Sequence, residues 1–159
     1  RIVIELFPSV SPLACQNFHS LCTGSKGLSK QSGLPLHYKG CRLHRLLPGF
    51  ILQGGDLQFG NGSGGESIWG GRFKDDPRGL KMRHDCAGVL SMGNSGKHAN
   101  SSQFFVTLAE QGAPQCDKKH VVFGRVVSGM EVLQLVQRRA APIEGGEEPC
   151  VPLTVVECG

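Results

Sequence analysis

The sequence predicts a mainly β protein, a barrel of strands whose open ends are capped by two α-helices. Short strand-like runs recur along the 159 residues, and the connections between them are rich in glycine, of which the chain has 23. Only two segments carry a helical pattern, and they lie far apart. With no internal repeat and no linker, residues 1–159 are expected to form one domain.

The first strand is predicted from strict alternation in residues 1–7, where Ile2, Ile4 and Leu6 share one face. Because the chain opens inside this pattern, we expect the first strand to be truncated at its N-terminus. The further strand-like runs are residues 42–47, 50–53, 88–92, 103–108, 121–127 and 153–157.

The first helix is predicted from both of its ends. Ser11 before Pro12 is typical of an N-cap followed by the first helical position, and Gly24 is typical of a helix C-terminus. One apolar face joins these ends. Its members are Ala14, Phe18, Leu21 and Cys22.

The second helix is predicted from Ser128 and Glu131, which have the spacing of a capping box. An apolar face follows, and Pro142 is expected to stop the helix. That face consists of Met130, Leu133 and Val136.

Charge and hydropathy exclude several kinds of partner. The net charge of +4 comes from scattered basic residues, whereas nucleic-acid binding needs a denser stripe. No apolar run is long enough to span a membrane, and the chain opens without a secretory signal. We therefore expect a monomer that binds neither nucleic acid nor membrane.

The seven cysteines include no C-x-x-C pair, so the sequence contains neither a zinc-ribbon motif nor a thioredoxin motif. An odd number of cysteines without a secretory signal favours a reducing compartment and free thiols. We expect a cytoplasmic protein, with the nucleus as the alternative, and buried thiols as the default state.

No motif supplies a nucleophile, a metal site or a phosphate cradle. Gly60, Gly62 and Gly65 satisfy G-x-G-x-x-G, but a dinucleotide site needs a helix to begin there, and residues 67–70 show no helical period. H-E-x-x-H, G-x-S-x-G and the P-loop are all missing. Hydrolase and kinase functions are excluded, and we expect no metal and no cofactor.

A reaction that breaks no covalent bond suits such a sequence. Rotation about an X–Pro peptide bond must cross a barrier of about 18–20 kcal/mol, which arises from amide resonance. A catalyst for it needs an apolar socket for the pyrrolidine ring, together with donors that favour the twisted amide over the planar one.

Three long motifs resemble signatures of the cyclophilin family. They are CRLHRLLPGFILQGGD at 41–56, GVLSMGNSGKHANSSQFFVTL at 88–108 and KHVVFGRVVSGMEVL at 119–133, and the terminal VVECG matches the family's last strand. The similarity covers essentially the whole chain. It implies an eight-stranded antiparallel β-barrel closed by two α-helices, and a peptidyl-prolyl cis-trans isomerase that assists protein folding without a cofactor.

The resemblance implies roles for individual residues. Arg45 matches the arginine that hydrogen-bonds the substrate backbone around proline, and His120 matches a histidine that borders the pocket without acid–base work. Without the resemblance, Arg45 is more often a solvated side chain, and the apolar positions are ordinary core. The implied catalytic residues are Arg45, Phe50, Gln53, Phe105 and His120, and the implied substrate-binding residues include Ile51, Gly93, Asn94 and Gln103.

The segment 109–119 departs from the family pattern. It is two residues longer than usual and lacks a tryptophan whose place falls to Gln115, with Cys116 at the neighbouring leucine. In the family that tryptophan donates a hydrogen bond to cyclosporin. We therefore expect weakened cyclosporin binding and reduced, persisting isomerase activity. A neighbouring substrate pocket is expected at Ser63, Arg72, Ser95 and Ala99, where Arg72 would favour acidic substrates.

The long loop 25–40 resembles that of the divergent-loop subgroup, with Gly33-Leu34-Pro35-Leu36 in place of its G-K-P-L-like element. Cys22, Cys158 and Glu66 match that subgroup's two cysteines and loop-contacting glutamate. A redox pair between Cys22 and Cys158 is one interpretation, and two buried thiols in a reducing cytosol are the other.

Two other functions remain open at this point. A proline-peptide binding module with little turnover is the first, because binding both isomers equally well accelerates nothing. A structural part of a larger assembly is the second.

Overall fold

The computed structural model describes residues 1–159, and its strands form one antiparallel sheet with two α-helices beside it. The sheet order is β1-β6-β4-β5-β3-β2. The strands are β1 (Val3–Leu6), β2 (Arg45–Leu47), β3 (Ile51–Gly54), β4 (Val89–Asn94), β5 (Asn100–Thr107) and β6 (Val122–Ser128). The helices are α1 (Pro12–Thr23) and α2 (Met130–Arg139), and two short 3-10 turns cover Gly79–Lys81 and Pro114–Cys116.

The mainly β antiparallel architecture with two helices is confirmed, but six strands form where the resemblance implied eight, and the sheet is open. Residues 153–157 run beside residues 40–43, ahead of β2, with a single bridge, between Thr154 and Arg42. Pro149 and Pro152 precede that bridge. Backbone hydrogen bonds flank the bridge, from Leu43 N–H to the Leu153 carbonyl and from Val155 N–H to the Cys41 carbonyl (both 2.9 Å), whereas the two prolines have no N–H to donate on the side toward β2.

Strand register sorts the side chains onto two faces. Leu46, Leu52, Val106 and Leu90 are consecutive partners across β2, β3, β5 and β4, and all are buried in the main core. Successive side chains in a strand point to opposite faces of the sheet. The residues next to these four in sequence therefore form a second row on the other face. We call that side the outer face, and its row is Arg45, Gln53, Phe105 and Ser91.

The main core lies between the sheet and α1. Phe18 of α1 packs its ring against Tyr38, Phe104 and Phe123, with ring centroids 5.2–5.3 Å apart. Offset and edge-on aromatic contacts of this kind add stability beyond the area that they bury. The cluster holds α1 on the sheet and leaves the outer face free for other contacts.

Ser11 is the N-cap of α1 and Pro12 its first residue, as the sequence predicts, but the hydrogen bonds to the helix start come from another residue. The Ser11 hydroxyl donates to the Val122 carbonyl (2.6 Å) and makes no cap bond. The carboxylate of Asp76 instead accepts the N–H groups of Leu13 (3.3 Å) and Ala14 (2.9 Å). Tertiary contacts therefore satisfy the free N–H groups at this helix start.

At α2, Ser128 belongs to β6, and the N-cap is Gly129 in a left-handed conformation with φ 97°. A capping box with Glu131 therefore does not form. Neither α-helix is long and apolar enough to cross a membrane.

Candidate active site

A small apolar cluster lies on the outer face, separate from the main core. Ile51 of β3 and Phe105 of β5 form its floor, and Ala113 and Cys116 contribute from the second 3-10 turn and the residue before it. All four are buried. We call these four residues the outer cluster, and the partly buried Leu47 and Phe50 pack against it. The sequence-predicted Phe50, Ile51, Phe105 and Cys116 are thus brought together.

A line of polar side chains borders the outer cluster. Arg45 Nη1 donates to Gln53 Oε1 (3.4 Å), and Gln53 Nε2 donates to Gln103 Oε1 (2.8 Å). Gln103 Nε2 in turn donates to the carbonyl oxygens of Gly62 (2.8 Å) and Gly64 (2.7 Å). Gln103 is therefore connected to Arg45 through Gln53.

Asp56 organises the loop that anchors Gln103. Burial raises the pKa of the Asp56 carboxyl, but hydrogen bonds from backbone N–H groups outweigh it and bring that pKa below its usual 3.8. The sequence places Asp56 only within a motif, without a role. The N–H donors, at 2.9–3.2 Å, belong to Gln58, Phe59, Asn61, Gly62 and Gly64.

Glu147 forms a two-point ion pair with Arg45 that the sequence did not lead us to expect. Arg45 Nε lies 2.8 Å from Glu147 Oε2, and Arg45 Nη2 lies 3.0 Å from Glu147 Oε1. The two residues stand 102 positions apart in the chain. The only sequence signal is the acidic doublet Glu147-Glu148, whose second member pairs with Arg42 (2.8 Å).

A polar cavity of about 400 Å³ adjoins Arg45 at the edge of the sheet. No hydrophobic side chain lines it. Arg45 and Gln53 face this cavity and belong to the same outer-face row as Phe105. A bound chain would therefore meet charged and amide groups on one side and apolar side chains on the other. The lining residues are His44, Arg45, Gln53, Asn61, Gly62, Glu147 and Glu148.

Two histidines hold the ring of Phe105. His84 stacks on it with a centroid distance of 5.7 Å and an interplanar angle of 17°, and His120 meets it edge-on at 5.2 Å and 86°. His84 is wholly buried between Asp117 (Nδ1 to Oδ1, 2.9 Å) and Ser91 (Nε2 to Oγ, 3.0 Å). An aspartate–histidine–serine series can signal a nucleophile. Ser91 has no exposed surface, so here the series supports the floor of the outer cluster.

His120 is placed as a wall of the site. Its Nδ1 donates to the Met92 carbonyl (3.0 Å). Burial lowers the pKa of His120 below its usual 6.5, although this hydrogen bond opposes the shift. The ring is therefore neutral at pH 7. A neutral ring edge-on to Phe105 agrees with the expected wall role.

Asn94 and Gly93 lie at the end of β4, next to the polar line. Asn94 Nδ2 donates to the Lys119 carbonyl (2.9 Å), so part of its side chain fixes the segment before His120. A methyl group at Gly93 would lie 3.1 Å from Gln103 Cβ, so this glycine leaves room for the glutamine.

The expected neighbouring pocket is joined to the site by hydrogen bonds only at Ser63, whose partner Asn61 lines the polar cavity. Ser63, Arg72 and Ser95 are exposed, and Ala99 is half-buried. Ser63 bonds only to Asn61, through its N–H (3.0 Å) and its hydroxyl (2.6 Å). The pocket at these positions stays a prediction.

In the segment 109–119, the two residues that replace the family's tryptophan and leucine differ in exposure. Gln115 is exposed on the 3-10 turn, whereas Cys116 is buried in the outer cluster. The turn is anchored by the N–H of Ala113, which donates to the His84 carbonyl (2.7 Å). Gly112 has φ 82°, and a side chain there would collide with the same carbonyl. Glycine is therefore required for this approach.

The loop 25–40 is held by Glu66, as the resemblance implied. The buried Glu66 carboxylate accepts the hydroxyl groups of Ser29 and Ser32. Cys22 and Cys158 are free thiols here. Burial raises the pKa of Cys22 to about 12, which disfavours the reactive thiolate. The redox pair stays a prediction.

Comparisons with known proteins agree with this geometry. The sequence model of the cyclophilin type peptidyl-prolyl cis-trans isomerase family matches residues 1–159. The chain is 45% identical over 159 residues to the peptidyl-prolyl cis-trans isomerase cyp11 of Rhizopus delemar, covering all of this chain and 45% of that protein. It is 46% identical to the NK-tumor recognition proteins of mouse and human, covering 10% of each. The chain thus spans less than half of these relatives.

Proposed function

This chain belongs to the cyclophilin-type peptidyl-prolyl cis-trans isomerase family, and from that membership we propose that it catalyses rotation about X–Pro bonds in peptides and proteins. The single observation that carries the proposal is the shared outer-face row, in which Arg45 and Gln53 stand beside Phe105. The family's reaction needs this combination of donor and apolar floor.

The chemistry follows from these residues. The outer cluster accepts the pyrrolidine ring, and burial of that ring against Phe105 and Ile51 orients the bond to be turned. The guanidinium of Arg45 stays charged at every physiological pH. As the amide twists, the proline nitrogen regains its lone pair, and a hydrogen bond from Arg45 to it lowers the barrier. No group gains or loses a proton, which agrees with a neutral His120.

Equilibrium exchange spectroscopy on a proline tetrapeptide tests the proposal. NMR exchange between cis and trans resonances is measured with and without catalytic amounts of the protein. We expect exchange to rise from the uncatalysed scale of tens of seconds to many events per second. Saturable binding of the peptide without faster exchange would instead establish the alternative, a proline-peptide binding module.

Substrates and surroundings of the whole protein are also proposals. We propose that exposed X–Pro bonds of folding chains are the substrates, and that the chain acts as a monomer. A cytoplasmic location, with the nucleus as the alternative, is supported by an odd number of free cysteines.

Cyclosporin is expected to bind weakly, because Gln115 replaces the indole donor at the rim. Gln115→Trp should strengthen cyclosporin binding by about tenfold or more, since one hydrogen bond and one aromatic contact are gained. Isothermal titration calorimetry on both proteins measures the difference, and Gln111→Trp, at an exposed position of the same segment, serves as the control. Nanomolar affinity in the unmodified protein would show that the indole is dispensable.

A further inference from the structure

The ion pair between Glu147 and Arg45 has a geometry that occupies only one edge of the guanidinium. The carboxylate takes Nε (2.8 Å) and Nη2 (3.0 Å), and Nη1 is left facing Gln53 Oε1 at 3.4 Å. A two-point contact between planar groups defines orientation as well as distance. One edge of Arg45 is therefore held, and the Nη1 group remains available for another acceptor.

The position of Glu147 is set by its backbone and not only by its charge. The N–H of Leu46, the neighbour of Arg45 in β2, donates to the Glu147 carbonyl (2.7 Å). A turn precedes this contact, where Gly146 N–H donates to the Ile143 carbonyl (2.8 Å), and the buried Pro149 follows it. The carboxylate is thus delivered to Arg45 by a main-chain contact on the free edge of β2.

Arg45 needs such a contact because it is partly exposed. Its side chain is 36% accessible, and it has one further side-chain partner, at a long distance. A long, exposed side chain samples many rotamers, and ordering it during a reaction slows that reaction. A partner that orders Arg45 before substrate binds removes this cost in conformational entropy, so the reaction is faster.

We propose that Glu147 is a positioning residue for the isomerase reaction, which holds the Nε–Nη2 edge of Arg45 so that Nη1 is directed along the polar line toward substrate. This inference rests on the proposed isomerase function. Glu147 does not contact the reacting amide; it acts through Arg45. Glu5 of β1 forms an analogous exposed pair with Arg125 of β6 (2.7 Å), away from both the outer-face row and the polar cavity, and so provides a matched control.

The test compares Glu147→Gln with Glu5→Gln in the peptide exchange assay. Glu147→Gln is expected to lower the rate of catalysed exchange about three- to tenfold, the range for losing one pre-ordered side chain. Peptide affinity, from chemical-shift titration, should change by less than twofold. Glu5→Gln should leave both quantities unchanged. If Glu147→Gln catalyses exchange as fast as the unmodified protein, or faster, the proposal is overturned, since the ion pair would then contribute nothing to catalysis or oppose it.

A double-mutant cycle separates positioning from a structural effect. In an Arg45→Ala background, Glu147→Gln should cause no further loss of exchange, because the group it positions is gone. A similar loss in both backgrounds would assign Glu147 a general structural role and overturn the proposal.

A spectroscopic signal of Arg45 reports the pair without any turnover. The Nε–H proton of Arg45 should exchange slowly with water in the unmodified protein and in Glu5→Gln, and quickly in Glu147→Gln. An Nε–H signal that is unaffected by Glu147→Gln would contradict the proposal. If the unmodified protein fails to accelerate exchange, the proposed function fails, while this signal still decides whether Glu147 orders Arg45.

Discussion

Arg45→Ala is expected to lower kcat/KM for a proline tetrapeptide by about 100-fold or more. Arg45 is the charged donor in the outer-face row, and removing one pre-oriented donor from a site of this kind costs about 100- to 1,000-fold in rate. Stability should change little, because an exposed ion pair contributes about 0–1 kcal/mol. NMR exchange at several enzyme concentrations gives the rate, and thermal unfolding gives the stability.

Arg42→Ala is the matched control for that experiment. Arg42 is also on the surface and also paired with a glutamate, at 2.8 Å, but it lies outside the outer-face row. We expect its activity to stay within about twofold of the unmodified protein. Should Arg42→Ala and Arg45→Ala lose activity equally, general surface charge and not a specific donor would be responsible.

Phe105→Ala is expected to reduce both stability and activity. Phe105 is 2% exposed and packs against Ile51, His84 and His120. Loss of a buried phenylalanine ring costs about 3–5 kcal/mol of unfolding free energy. The floor for the pyrrolidine ring disappears with it, so kcat/KM should fall about 100-fold even at temperatures where the variant remains folded. Denaturant unfolding and exchange kinetics, both at low temperature, measure the two effects.

Phe104→Ala distinguishes the two faces of the same strand. Phe104 points into the main core, where its ring lies 5.2 Å from Phe18 and 5.2 Å from Tyr38. We expect a comparable loss of stability, of about 3–5 kcal/mol, with activity per folded molecule within about threefold. If Phe104→Ala stays stable but loses activity, the assignment of Phe104 to the core face of the sheet would be contradicted.

The site could be predicted largely because its residues belong to long motifs. The motif at 41–56 carries Arg45, Phe50 and Gln53 on one hairpin, β2 and β3, whose strands pair with Arg45 opposite Gln53. Phe105 comes from the next motif, and β5 pairs directly with β3. Alternation along each strand then places all of these side chains on one face. Local sequence and strand pairing agree here, so these side chains lie together in the structure, while their roles in catalysis stay predictions.

The predictions failed where a partner is remote in the chain. Ser11 is the N-cap of α1 as predicted, but its hydroxyl group donates to Val122, and Asp76 accepts the N–H groups of the helix start; Ser128, the other predicted cap, belongs to β6. A hydroxyl group satisfied by a distant carbonyl cannot be read from its own segment. The pattern of residues 153–157 likewise predicts a strand, but the extent of its pairing depends on a distant partner. Only one bridge forms, between Thr154 and Arg42.

The amino-acid sequence by itself determined the family and the antiparallel β class with two helices, and it identified the arginine, glutamine and phenylalanine of the candidate site, because short-range alternation and contiguous motifs specify them. Only the tertiary structure decided how the sheet ends and what orients Arg45. Glu147 reaches that arginine across 102 residues of chain through a contact at the edge of β2. Such a contact depends on where the backbone returns in space, and neither periodicity nor residue type encodes that return.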